Sequence, residues 1–166
     1  MESVVIKMSK EHYEAEKDIR NLIRYIAAEG KNKKNENLLC FKTRGTSGRV
    51  DEAIEQMIAV QGAYEKTNKR RMYHLIVSFP KEIKDKAVVK ECADRIAGML
   101  FQKYQVVYGI HISKSNWHIH YAINAVSYRD GKKWHQSKAE FAEWKKEVLE
   151  IMNDVFRKNG YKKYKI

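Results

Sequence analysis

The chain has 166 residues, 43% hydrophobic and 33% charged, which excludes an intrinsically disordered or low-complexity protein and fits a single folded domain over residues 1–166. No apolar run is long enough to cross a bilayer or to act as a signal peptide, so we expect no membrane association and a cytoplasmic location. The formal net charge of +12 predicts a polyanionic partner, above all nucleic acid.

Strands and helices are predicted to alternate in the first half of the chain. The helix before the first long loop has Ile19, Leu22, Ile23 and Ile26 at helical spacing, and Gly30 is its predicted stop. The predicted segments are a strand at 3–9, a helix at 11–31, a strand at 37–43, a helix at 51–67 and a strand at 72–79.

The second half is predicted to contain an amphipathic helix over 84–104, two neighbouring strands at 105–113 and 117–127, and a helix over 137–158. A hairpin turn is expected at 129–131. Ser137 is the predicted N-cap of the last helix. This order predicts an α+β fold, with a central antiparallel sheet of about five strands and helices mainly on one face.

The segment SNWHIHYAIN contains His118 and His120, which point to the same side of a strand because they are two residues apart. His111 lies on the preceding strand, one tight turn away, where antiparallel partners can meet. Three neutral imidazoles on one face can hold a divalent metal and leave coordination positions open. The alternative is that the histidines are surface polar residues on a half-exposed strand.

The stretch HISKSNWHIHYAIN resembles the three-histidine motif of conjugative relaxases of the MobA/TraI type, members of the HUH endonuclease superfamily. His111, His118, His120 and Asn124 match that motif in order and spacing. LIRYIAAEGK is similar to the family's first motif, which carries a nucleophilic tyrosine, and YHLIVSFP is similar to the second, whose serine lies near the scissile DNA. The resemblance runs from Tyr25 to Asn124.

The resemblance implies an HUH endonuclease-like fold with the H-x-H strand in the middle of the sheet. It implies that Tyr25 attacks single-stranded DNA at an origin of transfer and forms a 5′-phosphotyrosine link. It also implies that the three histidines hold Mn²⁺ or Mg²⁺. Zn²⁺ is an alternative, because imidazole ligands suit later transition metals. We expect a monomer that is either an isolated catalytic domain or a minimal form with an accessory DNA-binding protein as a further partner.

Further residues are candidates for DNA contacts. Ser78 is placed near the nick by the family match, Trp117 is a candidate for base stacking, and Asn124 is either a supporting residue or a backbone-capping amide. Basic residues that cluster in predicted loops are expected to rim a groove: Lys33, Lys34, Arg70, Arg71, Lys132 and Lys133. His74 either contacts DNA or is a hydrogen-bonded partner inside the sheet, and we favour the second.

The chain departs from the family pattern at Ser113, where an acidic residue that orients the first histidine is often found. Glu29 is a candidate substitute. A rolling-circle replication initiator or an HUH transposase is an alternative, with Tyr161 or Tyr164 as the nucleophile. A non-catalytic, single-stranded DNA-binding module is an alternative of another class. A phosphoesterase with paired H-x-S/T motifs is disfavoured, because only one such motif is found.

Overall fold

The computed structural model describes residues 3–29 and 37–166, so the predicted DNA contacts Lys33 and Lys34 and the predicted stop at Gly30 lie outside the described residues. The elements are β1 (Val5–Met8), α1 (Glu16–Ile26), β2 (Asn37–Arg44), α2 (Val50–Ala63), β3 (Met72–Ser78), α3 (Lys86–Leu100), β4 (Val106–Ile112), β5 (Trp117–Asn124) and α4 (Lys138–Lys158).

The strands form one five-stranded sheet in the order β1-β3-β5-β4-β2. Every neighbouring pair is antiparallel. The predicted α+β class is therefore confirmed, and the H-x-H strand β5 lies at the centre of the sheet, as the family resemblance implied. β5 is paired along its whole length with β3 on one side and β4 on the other.

One face of the sheet supplies the larger hydrophobic cluster. Its strand residues alternate along β3, β4 and β5 and pack against α3 and α4. Tyr108 and Tyr121 stack in register at this face, with ring centroids 5.5 Å apart. Because α3 and α4 cover this face, water cannot form hydrogen bonds with polar side chains there. The residues of the cluster are therefore largely aliphatic or aromatic.

The opposite face carries α1 and α2. The apolar stripe predicted on α1 is buried, and with α2 it packs against Met72, Val107 and Ala122 of the sheet. The helices therefore divide between the two faces, whereas the sequence favoured a location mainly on one. The cause is that α1 and α2 each carry an apolar side, which needs a partner of its own.

The helix boundaries follow local chemistry. The Ser137 side chain accepts a hydrogen bond from the Glu140 backbone, which confirms the predicted cap of α4. α1 begins at Glu16 instead of residue 11, because Tyr13 has a φ of 51° that no right-handed helix includes. In residues 3–29 and 37–166, no helix is both long and apolar enough to span a membrane.

Candidate metal and nucleophile site

The three predicted histidines meet on the face of the sheet that carries α1 and α2. His111 and His118 are direct partners across β4 and β5, and His120 follows on the same side of β5. Their ligating nitrogens all lie within 4.8 Å of one another. The ring centroid of His120 is 4.6 Å from that of His111 and 4.7 Å from that of His118.

All three rings are buried, with exposures of 1%, 7% and 4% for His111, His118 and His120. The alternative of surface polar residues is therefore wrong. Clustered imidazole nitrogens are ligands for a divalent ion, and three of them leave coordination positions for other oxygens. The donor set fits a divalent metal site of the open kind.

Tyr25 lies at the last turn of α1, directly over the histidines. Its ring centroid is 5.2 Å from that of His120 and 5.7 Å from that of His111. The side chain is half-buried, off the apolar stripe of the helix. A cavity of about 280 Å³ leads to it, lined by Glu11, Tyr13, Asp18, Asn21, Leu22, Tyr25 and His74.

A close approach between α1 and β4 holds Tyr25 and His111 together. Gly109 has no Cβ, and a Cβ at that position would lie 2.6 Å from the Ile26 carbonyl oxygen. The end of α1 can therefore rest on the strand. His111 Nε2 donates to that same carbonyl over 2.9 Å. One glycine thus allows the residue after Tyr25 to orient a candidate ligand.

Ser113 does not perform that function. Its hydroxyl donates to the Asn116 carbonyl over 2.7 Å and accepts from the Asn116 backbone N–H over 3.1 Å. Ser113 therefore stabilises the turn between β4 and β5. The contact to His111 comes instead from the Ile26 carbonyl at the end of α1, and Glu29, three residues further on, is exposed.

His74 joins the site from β3, next to β5. Its Nε2 lies 2.8 Å from His120 Nδ1, and its Nδ1 lies 3.1 Å from the Tyr13 hydroxyl. Burial lowers the pKa of His74 to about 4, with smaller contributions from His111 and Lys7. His74 is therefore neutral near pH 7. This agrees with the favoured prediction that it is a hydrogen-bonded partner, although the sequence did not identify His120 as that partner.

The other residues predicted near the nick divide between the two faces. Ser78 is the direct partner of His118 in the sheet and is half-buried beside the histidines. Trp117 lies two positions before Ile119 on β5 and packs against the larger hydrophobic cluster, with Lys84 Nζ 5.4 Å from its ring centroid. Strand alternation sends the Trp117 side chain to the face opposite the histidines, and base stacking by this half-buried ring stays a prediction.

Asn124 is fully buried and uses both ends of its amide. Its Nδ2 donates to the Met57 carbonyl and to Gln105 Oε1, and its Oδ1 accepts from Gln61 Nε2 and the Val126 N–H. These bonds tie the end of β5 to α2 and to the start of β4. The predicted DNA contact of Asn124 is therefore wrong, and the alternative of a capping amide is supported.

The basic residues that were predicted to contact DNA lie near the end of the sheet that is away from the histidines. Asn124 is six residues from His118 along β5, roughly 20 Å at about 3.3 Å per residue, and Met72, which follows Arg71, is its direct partner. Arg71 itself is only 4% exposed and donates to Gln61 Oε1. A direct DNA contact by Arg71 is therefore not available in this conformation.

A cluster of cations surrounds that buried guanidinium. Partial burial lowers the pKa of Lys133, and the charges of Lys66, Arg71 and Lys69 lower it further. Lys132 is exposed and Arg70 half-buried nearby in the chain, with the Arg70 guanidinium 4.4 Å from the Tyr73 ring centroid. Like charges held this closely attract a polyanion.

Comparison with known proteins identifies the family. Residues 25–161 match the model of the relaxase family described as MobA/VirD2-like, nuclease domain. The chain belongs to this relaxase family. The match begins at Tyr25 and includes all three histidines, so the family resemblance found in the sequence is confirmed.

Two relatives show how far the likeness extends. Protein TraI of Escherichia coli is 30% identical over 112 residues, which are 66% of this chain but only 15% of TraI. The relaxase domain also superposes on a structure published as "Molecular Basis of Vancomycin Resistance Transfer in Staphylococcus aureus". The TM-score is 0.63 at 16% identity, over 96% of this chain and 95% of the other. At that identity the second likeness concerns the fold.

Proposed function

We propose that this relaxase domain nicks single-stranded DNA at an origin of transfer, with Tyr25 as the nucleophile and a divalent ion held by His111, His118 and His120. The observation that carries the proposal is the placement of one phenol over three clustered imidazoles. The Tyr25 ring lies 5.2 Å from His120 and 5.7 Å from His111, centroid to centroid. Family membership supports the nuclease chemistry.

In this mechanism the Tyr25 oxygen forms a bond to the scissile phosphorus, and the bond from phosphorus to the 3′-oxygen breaks. The phenolic proton is lost to solvent in the cavity beside Tyr25, and the 3′-oxygen leaves as a hydroxyl after it takes up a proton. The product is a 5′-phosphotyrosine link, so the strand can be rejoined without an external energy source. A bound divalent ion supplies positive charge against a non-bridging phosphate oxygen.

The residues of the chain organise this step. The Ile26 carbonyl orients His111, and Gly109 permits the approach of α1 that brings Tyr25 to the histidines. Ser78, which is paired with His118 across β3 and β5, would donate a hydrogen bond to the DNA backbone near the nick. Lys132, Lys133 and Arg70 would contact DNA about 20 Å from the nick, since they lie near the other end of the sheet.

The alternative nucleophiles lie elsewhere in the fold. Tyr164 is 2% exposed, and both Tyr164 and Tyr161 pack with Phe156 in the cluster on the α3–α4 face. In a rolling-circle initiator or HUH transposase, Tyr161 or Tyr164 would have to reach the histidines from the opposite face of the sheet. The geometry therefore favours the relaxase mechanism.

The proposal is tested by incubating the protein with Mn²⁺ and labelled single-stranded oligonucleotides that carry candidate origins of transfer. A slower covalent species on a denaturing gel is the expected result. It should be lost in Tyr25→Phe and kept in the matched control Tyr161→Phe. A species lost only in Tyr161→Phe or Tyr164→Phe would support the alternative enzymes. DNA binding without any covalent species, unchanged by Tyr25→Phe, would support a non-catalytic binding module.

A further inference from the structure

A second cavity lies on the α3–α4 side of the sheet, at the end away from the histidines. Its volume is about 500 Å³, within the roughly 300–1,000 Å³ that small-molecule sites occupy. Trp134 fixes its location, because its backbone N–H donates to the Ala125 carbonyl and its own carbonyl accepts from the Tyr73 hydroxyl. Tyr73 is paired with Ile123 near the end of β5, whereas the histidines lie nearer the beginning of that strand. The cavity is therefore separate from the candidate metal site.

Three half-buried aromatic rings line this cavity: Tyr104, Trp134 and Trp144. The rings of Tyr104 and Trp134 stack at an angle of 20°, with centroids 5.3 Å apart. Trp144 meets Trp134 at an angle of 64°, with centroids 6.1 Å apart. Phe141 lies outside the lining and stacks on Trp144 at 6.0 Å, so it supports that indole. The two indoles form a corner in which a flat ring can stack on one and meet the edge of the other.

The cavity has a basic rim. Lys132 and Lys133 line it from the loop before α4, and Lys103 lines it from the segment after α3. Lys133 also belongs to the cluster of cations around Arg71. In the part of the chain that the structure describes, Arg71 Nη2 and Arg70 Nε are buried without a hydrogen-bond partner. The rim therefore offers positive charge to phosphate groups.

The wall formed by α4 is acidic. Glu140 and Glu147 lie on the same face of the helix as Trp144, three or four residues from it along the chain. Asp130 also lines the cavity, but its carboxylate accepts the Lys132 backbone N–H over 3.0 Å within its own turn. Carboxylates repel phosphate and accept hydrogen bonds from the N–H groups on the edge of a nucleobase. This wall is therefore suited to the neutral part of a nucleotide.

We propose that the cavity binds one unpaired base of single-stranded DNA, stacked on Trp144, with the adjoining phosphates on Lys132 and Lys133. A base in a duplex is stacked and paired on both sides, so only an unpaired base can enter. A free phosphate would use the rim alone, and an uncharged aromatic molecule would use the rings alone. The site goes beyond the proposed nicking function, because it lies on the opposite face of the sheet from Tyr25 and would hold the strand at a second place.

The test uses the Trp117→Phe variant, in which Trp134 and Trp144 are the remaining tryptophans of the chain. Tryptophan fluorescence then reports on the cavity. Without a divalent ion, a single-stranded oligonucleotide of about eight nucleotides should quench this fluorescence, because its bases stack on indole. A strand of the same length made of abasic sites keeps the phosphates. It should bind about fivefold more weakly or worse and leave the fluorescence unchanged.

A second variant tests the stacking ring itself. In the same background, Trp144→Leu keeps Trp134 as the reporter and should raise the midpoint of quenching by about 5- to 150-fold, the effect of losing one stacked base. Tyr161→Leu is the matched control. It removes a half-buried ring that packs on Phe156 outside the cavity, and should leave the midpoint unchanged.

No quenching by the base-bearing strand, or equal quenching by the abasic strand, would overturn the proposal. This comparison needs no change in the cavity, so it decides the matter even if Trp144→Leu does not fold. An unchanged midpoint in a folded Trp144→Leu protein would overturn it as well. The nicking proposal is judged separately. A Tyr25 adduct without quenching would reject the base site alone, and quenching without an adduct would reject nicking alone.

Discussion

The two faces of the sheet are equally protected from water at β5 but are built from different residues. On the α3–α4 side, Ile119 and Tyr121 are fully buried among apolar and aromatic side chains. On the α1–α2 side, His118 and His120 alternate with them and are at most 7% exposed. Burial alone therefore does not separate the core of this protein from its candidate site.

The two faces differ in how their buried side chains are stabilised. The hydrophobic face gains stability from the apolar area that it removes from water. The histidine face has partners for its polar atoms, such as the Ile26 carbonyl for His111 and His74 for His120. Changes on the first face should therefore act on stability, and changes on the second should act on metal binding and catalysis.

The largest expected effect comes from adjacent substitutions on β5. Ile119→Ala should lower the free energy of unfolding by about 2–5 kcal/mol, because it leaves a cavity in the core. His118→Ala should change it by no more than about 1 kcal/mol, but should reduce Mn²⁺ affinity because one of three imidazoles is lost. Urea denaturation and calorimetry measure the two quantities. Equal losses of stability in both variants would contradict the distinction between the faces.

A smaller effect is expected where α1 meets the sheet. Gly109→Ala places a Cβ against the Ile26 carbonyl and should displace the end of α1, at a cost of about 1–3 kcal/mol in stability. The displacement moves Tyr25, so the rate of DNA adduct formation should fall about 100-fold.

Gly98 in α3 is the matched control for this substitution. No atom would lie within 4 Å of a Cβ added at Gly98, so Gly98→Ala should raise stability by about 0.5–1 kcal/mol without changing the rate. A Gly109→Ala variant that forms the adduct at the unmodified rate would show that the close approach is not needed for catalysis.

The smallest expected effect concerns the seam between α3 and α4. Hydrogen bonds from Arg95, Lys158 and Arg157 hold the pKa of Asp154 well below its usual range. A lowered folded-state pKa stabilises the protein above the unfolded value near 4, and the stabilisation is lost as the pH falls through the folded value. The difference in Tm between the parent protein and Asp154→Asn should therefore be small but measurable at pH 7 and shrink in acid.

Salt should also reduce that difference, because the pairs are exposed. Glu143→Gln, which removes an exposed pair with Lys146 within α4, is the control and should have less effect on Tm. A difference that grows as the pH falls would contradict the assigned sign.

Local patterns in the sequence were enough to predict most elements and the convergence of the histidines. Strand alternation places His118 and His120 on one side, and a tight turn before them brings His111 opposite His118. The helical spacing of α1 left Tyr25 off its apolar stripe. The family motifs indicated Tyr25 as the expected nucleophile, and in the structure its ring lies close to the histidines.

The contacts of individual side chains could not be predicted from these local patterns. The pattern that identified Asn124 and Trp117 as motif neighbours does not show that one is enclosed by α2 and the other lies on the opposite face. Arg71 was grouped with exposed lysines, although its guanidinium is buried against Gln61. In each case burial depends on which helix covers that part of the sheet.

The sequence by itself therefore determined the class of fold, the three imidazoles and the family, because these depend on periodicity and spacing over short stretches of chain. Only the tertiary structure decided that the Ile26 carbonyl orients His111, that Gly109 permits it, and that His74 and Tyr13 lie behind His120. Those contacts join residues 46 to 85 positions apart. They exist because β5 pairs with both β3 and β4, and because α1 packs on that face, which no local pattern specifies.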